Sequence, residues 1–259
     1  MLFTDQLNNT IELNSFPKRI ISLVPSQTEL LWDLGLREEL VGITKFCIHP
    51  NELFRSAPRI GGTKKFNFDK IRELKPDLII GNKEENEQVQ IEQLSEEFNV
   101  WMSDIFNLKD ALKTIRSIGA LVNKEDKANS IAQKIEQSFN DLKRINKRVL
   151  YLIWKDPYMA AGNGTFIGDM LHKIGLQNVI VNPNGRYPEL TVQEMKVLNP
   201  ELLFLSSEPY PFNEKHIFEL QRDLPDTKII LVDGELFSWY GSRLLHSVEY
   251  FNDLTDKLN

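Results

Sequence analysis

Twelve residues of this chain occur twice in outline. Asp69-Lys-Ile-Arg-Glu-Leu-Lys-Pro76-Asp77-Leu-Ile-Ile80 is matched, 124 residues on, by Gln193-Glu-Met-Lys-Val-Leu-Asn-Pro200-Glu201-Leu-Leu-Phe204. Each copy reads as a helix stopped by proline and followed by an apolar strand, because proline cannot continue a helix and favours extension in the residue before it. A second pair lies at a similar offset of 129: Arg19 to Val24 (RIISLV) and Arg148 to Trp154 (RVLYLIW). Helix, proline and strand recur by chance in any α/β chain, but two echoes at nearly one offset argue for two similar halves.

The periodicity fills in those halves. A short β-like segment is expected near residues 10–14. Arg19 to Val24 is a continuous β-branched run that suits a parallel strand covered on both faces. Pro25-Ser26-Gln27-Thr28-Glu29 then turns into a helix that Gly35 closes, with Ser26 or Thr28 as its cap. Further strands are expected at Leu40 to Ile43, Leu78 to Gly81 and Val100 to Ser103, with helices near 67–74 and 86–97. Phe166 to Gly175 reads as a helix like Glu29 to Gly35. Apolar residues at 108, 111, 112, 115, 118 and 122 mark an amphipathic helix. Asn123 with Asp126 reads as a capping pair for a second helix, whose stripe from Ala128 through Leu142 predicts roughly 22 residues, or about 33 Å, ending near Asn146. The resulting fold class is α/β, with two Rossmann-like lobes of parallel sheet joined by one long α-helix: residues 1–107, a helical segment at 108–146 and a second lobe at 147–259. Open α/β sheets bind ligands beyond the carboxyl ends of their strands, so a cleft between the lobes is the expected site.

Composition narrows the function. The 31 Lys and Arg are interleaved with 37 Asp and Glu, for a net charge of −6, which argues against a nucleic-acid partner. Cys47 is the sole cysteine, so no intrachain disulfide forms. No apolar run approaches the roughly 18 residues of a membrane span. The opening MLFTDQLNNT has neither a basic n-region nor an apolar h-region, leaving a cytoplasmic protein or a trimmed export signal as the readings.

Catalytic signatures are sparse. There is no G-x-x-x-x-G-K-[ST] loop, and Gly162-Asn-Gly164-Thr-Phe-Ile-Gly168 is spaced wrongly for a dinucleotide fingerprint. Ser26 lacks the glycines of a nucleophile elbow. His172, His216 and His246 have no ligand partner at chelating spacing and read as structural or exposed. Cys47-Ile-His49-Pro50 brings two possible ligands together, yet two do not close a coordination shell. His49 is a weak metal candidate, and this loop is better read as lining a site. Glu84, Glu85, Glu208 and Glu235 near strand ends read as solvated loop charges. What stands out is aromatic: Phe46, Trp154, Tyr158, Tyr187, Phe237, Trp239 and Tyr240 fall at expected strand ends, where flat apolar walls suit a large rigid ligand.

RIISLVPSQTELLWDLG, followed in order by VGIT, IRELKPDLIIG and FIGDMLHKIGLQNV, resembles the class III periplasmic binding proteins, the helical-backbone receptors that serve ABC importers. The resemblance runs from about Lys18 to the end of the chain and is nearest to the cobalamin-binding members. It implies a non-enzymatic, monomeric receptor, periplasmic or at the cell surface, that holds cobalamin or another metal chelate and delivers it to a permease. On this resemblance Phe46 and Tyr187 face the corrin, Lys64 or Lys65 replaces a family Trp, and Trp154 and Phe237 line the second lobe; Pro25, Ser26 and Trp239 are further candidate ligand-binding residues. Asp69, Gln193 and Glu194 stand where the family carries its permease-docking acids. Iron-siderophore or haem binding, the latter through His49 or Tyr187, is the competing reading on the same fold. An enzyme on a doubled Rossmann-like scaffold is the competing reading from another class.

Overall fold

In the computed structural model, which describes residues 1–181 and 185–259, the chain divides into two units. The first comprises Met1–Ile105, Lys109–Glu136 and Tyr240–Leu245, and the second Phe106–Leu108, Gln137–Trp239 and His246–Asn259.

The first unit opens on an antiparallel pair, β1 (Leu2–Thr4) and β2 (Thr10–Glu12). There follow β3 (Ile20–Ser22), α1 (Pro25–Asp33), β4 (Leu40–Ile43), α2 (Asn51–Ser56), α3 (Phe68–Leu74), β5 (Leu78–Asn82), α4 (Gln88–Ser95) and β6 (Val100–Ser103). Strands β4-β3-β5-β6 form a parallel sheet. Every residue of β3, β5 and β6 is buried, as the unbroken apolar runs require. Two amphipathic helices come next, α5 (Leu108–Leu121) and α6 (Glu125–Ser138).

The second unit contains β7 (Arg148–Trp154), β8 (Tyr158–Ala160), α7 (Phe166–Lys173), β9 (Gln177–Asn178), β10 (Glu189–Leu190), α8 (Val192–Leu198), β11 (Leu202–Ser206), α9 (Glu214–Gln221), β12 (Lys228–Val232) and α10 (Gly234–Ser238). The last helix, α11 (Leu244–Leu258), starts in residues of the first unit and ends in the second. The sheet order is β10-β8-β7-β11-β12, with β9 beside β7. β7, β9, β11 and β12 are parallel, while β8 and β10 add an antiparallel flank that the sequence pattern did not announce.

The repeat is physical as well as textual. In the first copy the Asp77 carboxylate accepts from the backbone N–H groups of Lys18 and Arg19 at 2.8 and 3.0 Å. The Arg19 guanidinium donates to Leu74 O at 2.6 Å. In the second copy Glu201 accepts from Arg148 N at 2.9 Å, and the Arg148 guanidinium donates to Leu198 O. Lys75 and Asn199 close their helices in the left-handed region, at φ 46° and 44°, immediately before the prolines. Each half thus pins a helix end to the start of a strand with the same arginine and carboxylate. Asp77→Ala and Glu201→Ala are each expected to cost about 1 kcal/mol in denaturant unfolding, the net worth of such bonds.

Two local expectations are corrected. The joining helix is shorter than its stripe implied: α6 has 14 residues, about 21 Å, and passes into a 3₁₀ turn at Phe139–Asp141. The chain is pulled out of the helix by α11, where Asn252 Oδ1 accepts from Lys143 N at 2.7 Å and Asn252 Nδ2 donates to Asp141 O at 3.3 Å. Asn123 does not cap α6. It adopts φ 57° and ends α5, and Lys124 O accepts the first bond of α6 from Ala128 N. Asn tolerates the left-handed region nearly as well as it caps, so the residue type alone did not separate the roles.

The segment Tyr240–Leu245 is built into the first unit by an ion pair. Arg243 grips Glu29 of α1 with both ends of its guanidinium, at 2.6 and 2.9 Å, and both side chains are largely buried. Gly241 makes this approach possible, since a Cβ there would stand 2.5 Å from Ser26 O.

Candidate functional site

In the first unit, the carboxyl ends of the strands carry a polar floor under an aromatic rim. Asn82 and Ser103, the first polar residues after the apolar runs of β5 and β6, are buried and joined, Asn82 Nδ2 donating to Ser103 Oγ at 3.0 Å. Gln27 Nε2 donates to the same Oγ at 2.6 Å. Asn82 Oδ1 accepts from the N–H groups of Glu84 and Glu85, shaping the turn after β5. Asn86 and Gln90 then anchor the loop from Gly61 to Phe66, through Thr63 O at 3.0 Å and Phe66 N at 2.7 Å. These carboxamides are not singled out by the sequence pattern, although for Asn82 a polar residue terminating an apolar strand is a signal that marks it.

Phe46 stands on this rim after β4. It is 49% exposed, with Lys45 Nζ 4.9 Å from its ring centroid. Its ring edge lies against Gly62, where a Cβ would come within 3.3 Å. Lys64 and Lys65 are exposed on the neighbouring loop, with Lys64 Nζ donating to Glu84 O at 2.7 Å. Pro25 is the first residue of α1 and half-buried. Ser26 is only 3% exposed, and its hydroxyl has no hydrogen-bond partner among the described residues. Neither Ser26 nor Thr28 caps α1: Val24 holds the cap position without a side-chain bond. Thr28 Oγ1 instead lies 2.9 Å from Val24 O and 3.0 Å from Cys47 Sγ. Burial pushes the Cys47 thiol up, against the pull of the two threonine hydroxyls, so the sulfur sits in the core as a thiol. His49 is half-buried two residues further on. Among the described residues no group of three or more His, Cys, Asp or Glu is placed to hold a metal ion.

In the second unit the corresponding strand ends carry a different group. Trp154, the last residue of β7, is 40% exposed and meets Tyr210 edge-on at 5.7 Å. Lys155 beside it pairs with Glu219 at 2.6 Å. Tyr187 is half-buried in a separate contact, with Arg186 lying 5.9 Å from its ring and 4.5 Å from Phe106. Two expected wall residues are corrected. Phe237 is 0% exposed, packed among Tyr151, Phe204, Tyr250 and Phe251 at 4.7–6.2 Å. Trp239 is 5% exposed, its Nε1 donating to Glu208 Oε1 at 2.8 Å. The five-residue α10 turns both rings inward, a placement invisible in the alternation of β12. Glu208 is correspondingly no solvated loop charge: it also accepts from Ser238 Oγ, and burial pushes its carboxyl up.

Residues 20–225 match the family model for periplasmic binding proteins. The chain belongs to that family. It is 25% identical over 260 residues to an uncharacterised ABC-transporter substrate-binding lipoprotein of Bacillus subtilis, covering 95% of this chain and 82% of that one. It is 23% identical over 240 residues to a vitamin B12-binding protein of Pectobacterium carotovorum, covering 89% and 86%. Among solved structures, the fold is shared with the periplasmic vitamin B12-binding protein of Vibrio cholerae, at TM-score 0.76, 20% identity and 93% and 97% coverage. It is shared equally with the periplasmic haem-binding protein of the same species, at 0.77, 22%, 92% and 98%. Members of the family are extracytoplasmic substrate-binding proteins, and no helix among the described residues of this binding protein is long and apolar enough to cross a membrane.

Two concavities of this binding protein lie away from these residues. One of about 710 Å³, lined by Arg144, Arg148, His172 and Gln177, sits at the amino ends of β7 and β9. A second, about 360 Å³, lies at the start of α7. There Thr165 caps the helix by accepting from Gly168 N, and Asp169, accepting from Leu108 N at 2.8 Å, brings a carboxylate to the place a dinucleotide phosphate would need. The docking candidates are exposed: Asp69 on α3, where it pairs with Arg72, and Gln193 and Glu194 on α8. Glu194 completes a capping box with Thr191, whose N–H and hydroxyl hold its carboxyl below the usual range.

Proposed function

We propose that this binding protein carries a corrinoid for an ABC importer and does no chemistry on it. Phe46 carries the ligand class. A phenyl ring nearly half exposed at a strand end, on a rim held rigid by Asn82, Asn86 and Gln90, is a stacking face for a large flat guest. Trp154 offers a second exposed ring, at the end of β7 in its own unit. The relatives named as vitamin B12-binding proteins support this choice. On this reading Pro25, Ser26, Lys64, Lys65 and Tyr187 border the ligand, and the protein acts as a monomer outside the cytoplasm. Asp69, with Glu194 beside Gln193, offers the permease a charge on each unit that sets docking register more than affinity.

Titration with cyanocobalamin, followed by tryptophan fluorescence, tests the reading. Quenching at micromolar ligand is expected, and Phe46→Ala should weaken binding about tenfold with the melting temperature unchanged, because a half-exposed ring holds little of the core. No quenching at high micromolar cobalamin would instead favour haem. The half-buried His49 supports that second reading as a potential iron ligand, and a Soret band shifted by His49→Ala is its mark.

A further inference from the structure

We propose that Tyr210 is a ligand-contacting wall of the second unit, set in place by the buried His216, and that acid releases it. The contact half of this proposal rests on the ligand reading above; the release half does not.

Tyr210 follows β11 and is fixed on several sides. Its N–H donates to Ile153 O at 3.3 Å, and its ring lies 5.7 Å from Trp154, 4.7 Å from Phe212 and 5.5 Å from His216. His216, in the first turn of α9, is 1% exposed. Both of its nitrogens are engaged. Asn213 N–H donates to Nδ1 at 3.0 Å, which requires a lone pair there. The hydrogen of the neutral ring is therefore on Nε2, which faces Tyr210 Oη at 3.3 Å and donates to it. Tyr210 Oη thus acts as acceptor toward His216, and its own hydrogen is left to donate to an acceptor on a ligand such as a peripheral amide or carboxylate. The exposed face of Trp154 stands beside it.

The same arrangement has no place for a second proton. Protonation puts a hydrogen on Nδ1, facing the Asn213 N–H, so a donor meets a donor and the 207–213 turn loses its tie to α9. The charged and titratable groups around the imidazole are Lys155 on the turn after β7, Lys215 and Glu219 on α9, and Tyr210 itself, with Tyr158 of β8 and Asp156 bordering the same cluster. Burial foremost, then Lys155 and Lys215, hold the imidazole below its ordinary value, against the weaker pull of Glu219. The neutral, latched form therefore prevails at neutral pH and is lost as pH falls below the ordinary histidine range.

Two measurements decide it. In the ligand-free protein, ring proton shifts of Trp154 and Tyr210, assigned with Trp154→Phe and Tyr210→Phe, are followed by NMR from pH 7.5 to 5.0. They are expected to move together with the His216 imidazole. Cyanocobalamin affinity of the wild type is expected to fall about tenfold over that range. His216→Gln, whose amide accepts and donates as the neutral ring does without titrating, is expected to flatten the profile. Tyr210→Phe is expected to weaken binding about tenfold at pH 7.5, the worth of one hydrogen bond to a ligand. A pH profile retained by His216→Gln, or rings that ignore the His216 titration, overturns the release. Normal affinity of Tyr210→Phe overturns the contact. Failure of the wild type to bind cobalamin removes the ligand reading and the contact together, while the ring shifts still decide the release.

Discussion

Arg243→Ala is expected to lower the unfolding free energy by about 3–5 kcal/mol, because it leaves Glu29 charged and largely buried with its bidentate partner gone. The pair lies 214 residues apart in sequence, so the loss reports tertiary structure and not a helix contact. Urea unfolding of Arg243→Ala, of Glu29→Ala and of the double variant separates the terms. The double variant should be less destabilised than the sum of the singles, since removing both charges removes the unpaired one. Singles costing under about 1 kcal/mol would reduce the pair to an ordinary surface bridge.

Phe237→Ala is expected to cost a further class of energy, about 3–5 kcal/mol, by opening a cavity among Tyr151, Phe204, Tyr250 and Phe251. The folded fraction should bind its ligand with unchanged affinity. Phe46→Ala should do the reverse. A Phe237 variant that kept its stability and lost affinity would return this ring to the ligand wall.

Much of the architecture was legible before any coordinates. Strand limits at Leu40–Ile43, Val100–Ser103 and Arg148–Trp154 agree with the expected ones because unbroken apolar runs bounded by polar residues admit little else. The repeated helix, proline and strand were legible for the same reason, and the Arg19–Asp77 and Arg148–Glu201 clips explain why those residue types recur. What misled was tertiary. The stripe through Phe139 and Leu142 continues a helical period, yet Asn252 and Asp256 of α11 take hold of that stretch through Lys143 and end the helix. Phe237 and Trp239 follow a strand where Trp154 ends one, and only the short turn of α10 decides that they face inward. A lone amide or hydroxyl such as Asn82, Asn86 or Ser103 carries no spacing, and its meaning emerges when the ends of β5 and β6 meet.

The return of Tyr240–Leu245 to the first unit has a practical consequence for anyone dissecting this protein. Cutting the gene after α6 does not yield two self-sufficient fragments. The amino-terminal piece would lack the glycine and the arginine that close over Ser26 and Glu29, and the carboxy-terminal piece would display them with nothing to seat against. Co-expression of the pieces respects how the polypeptide is woven.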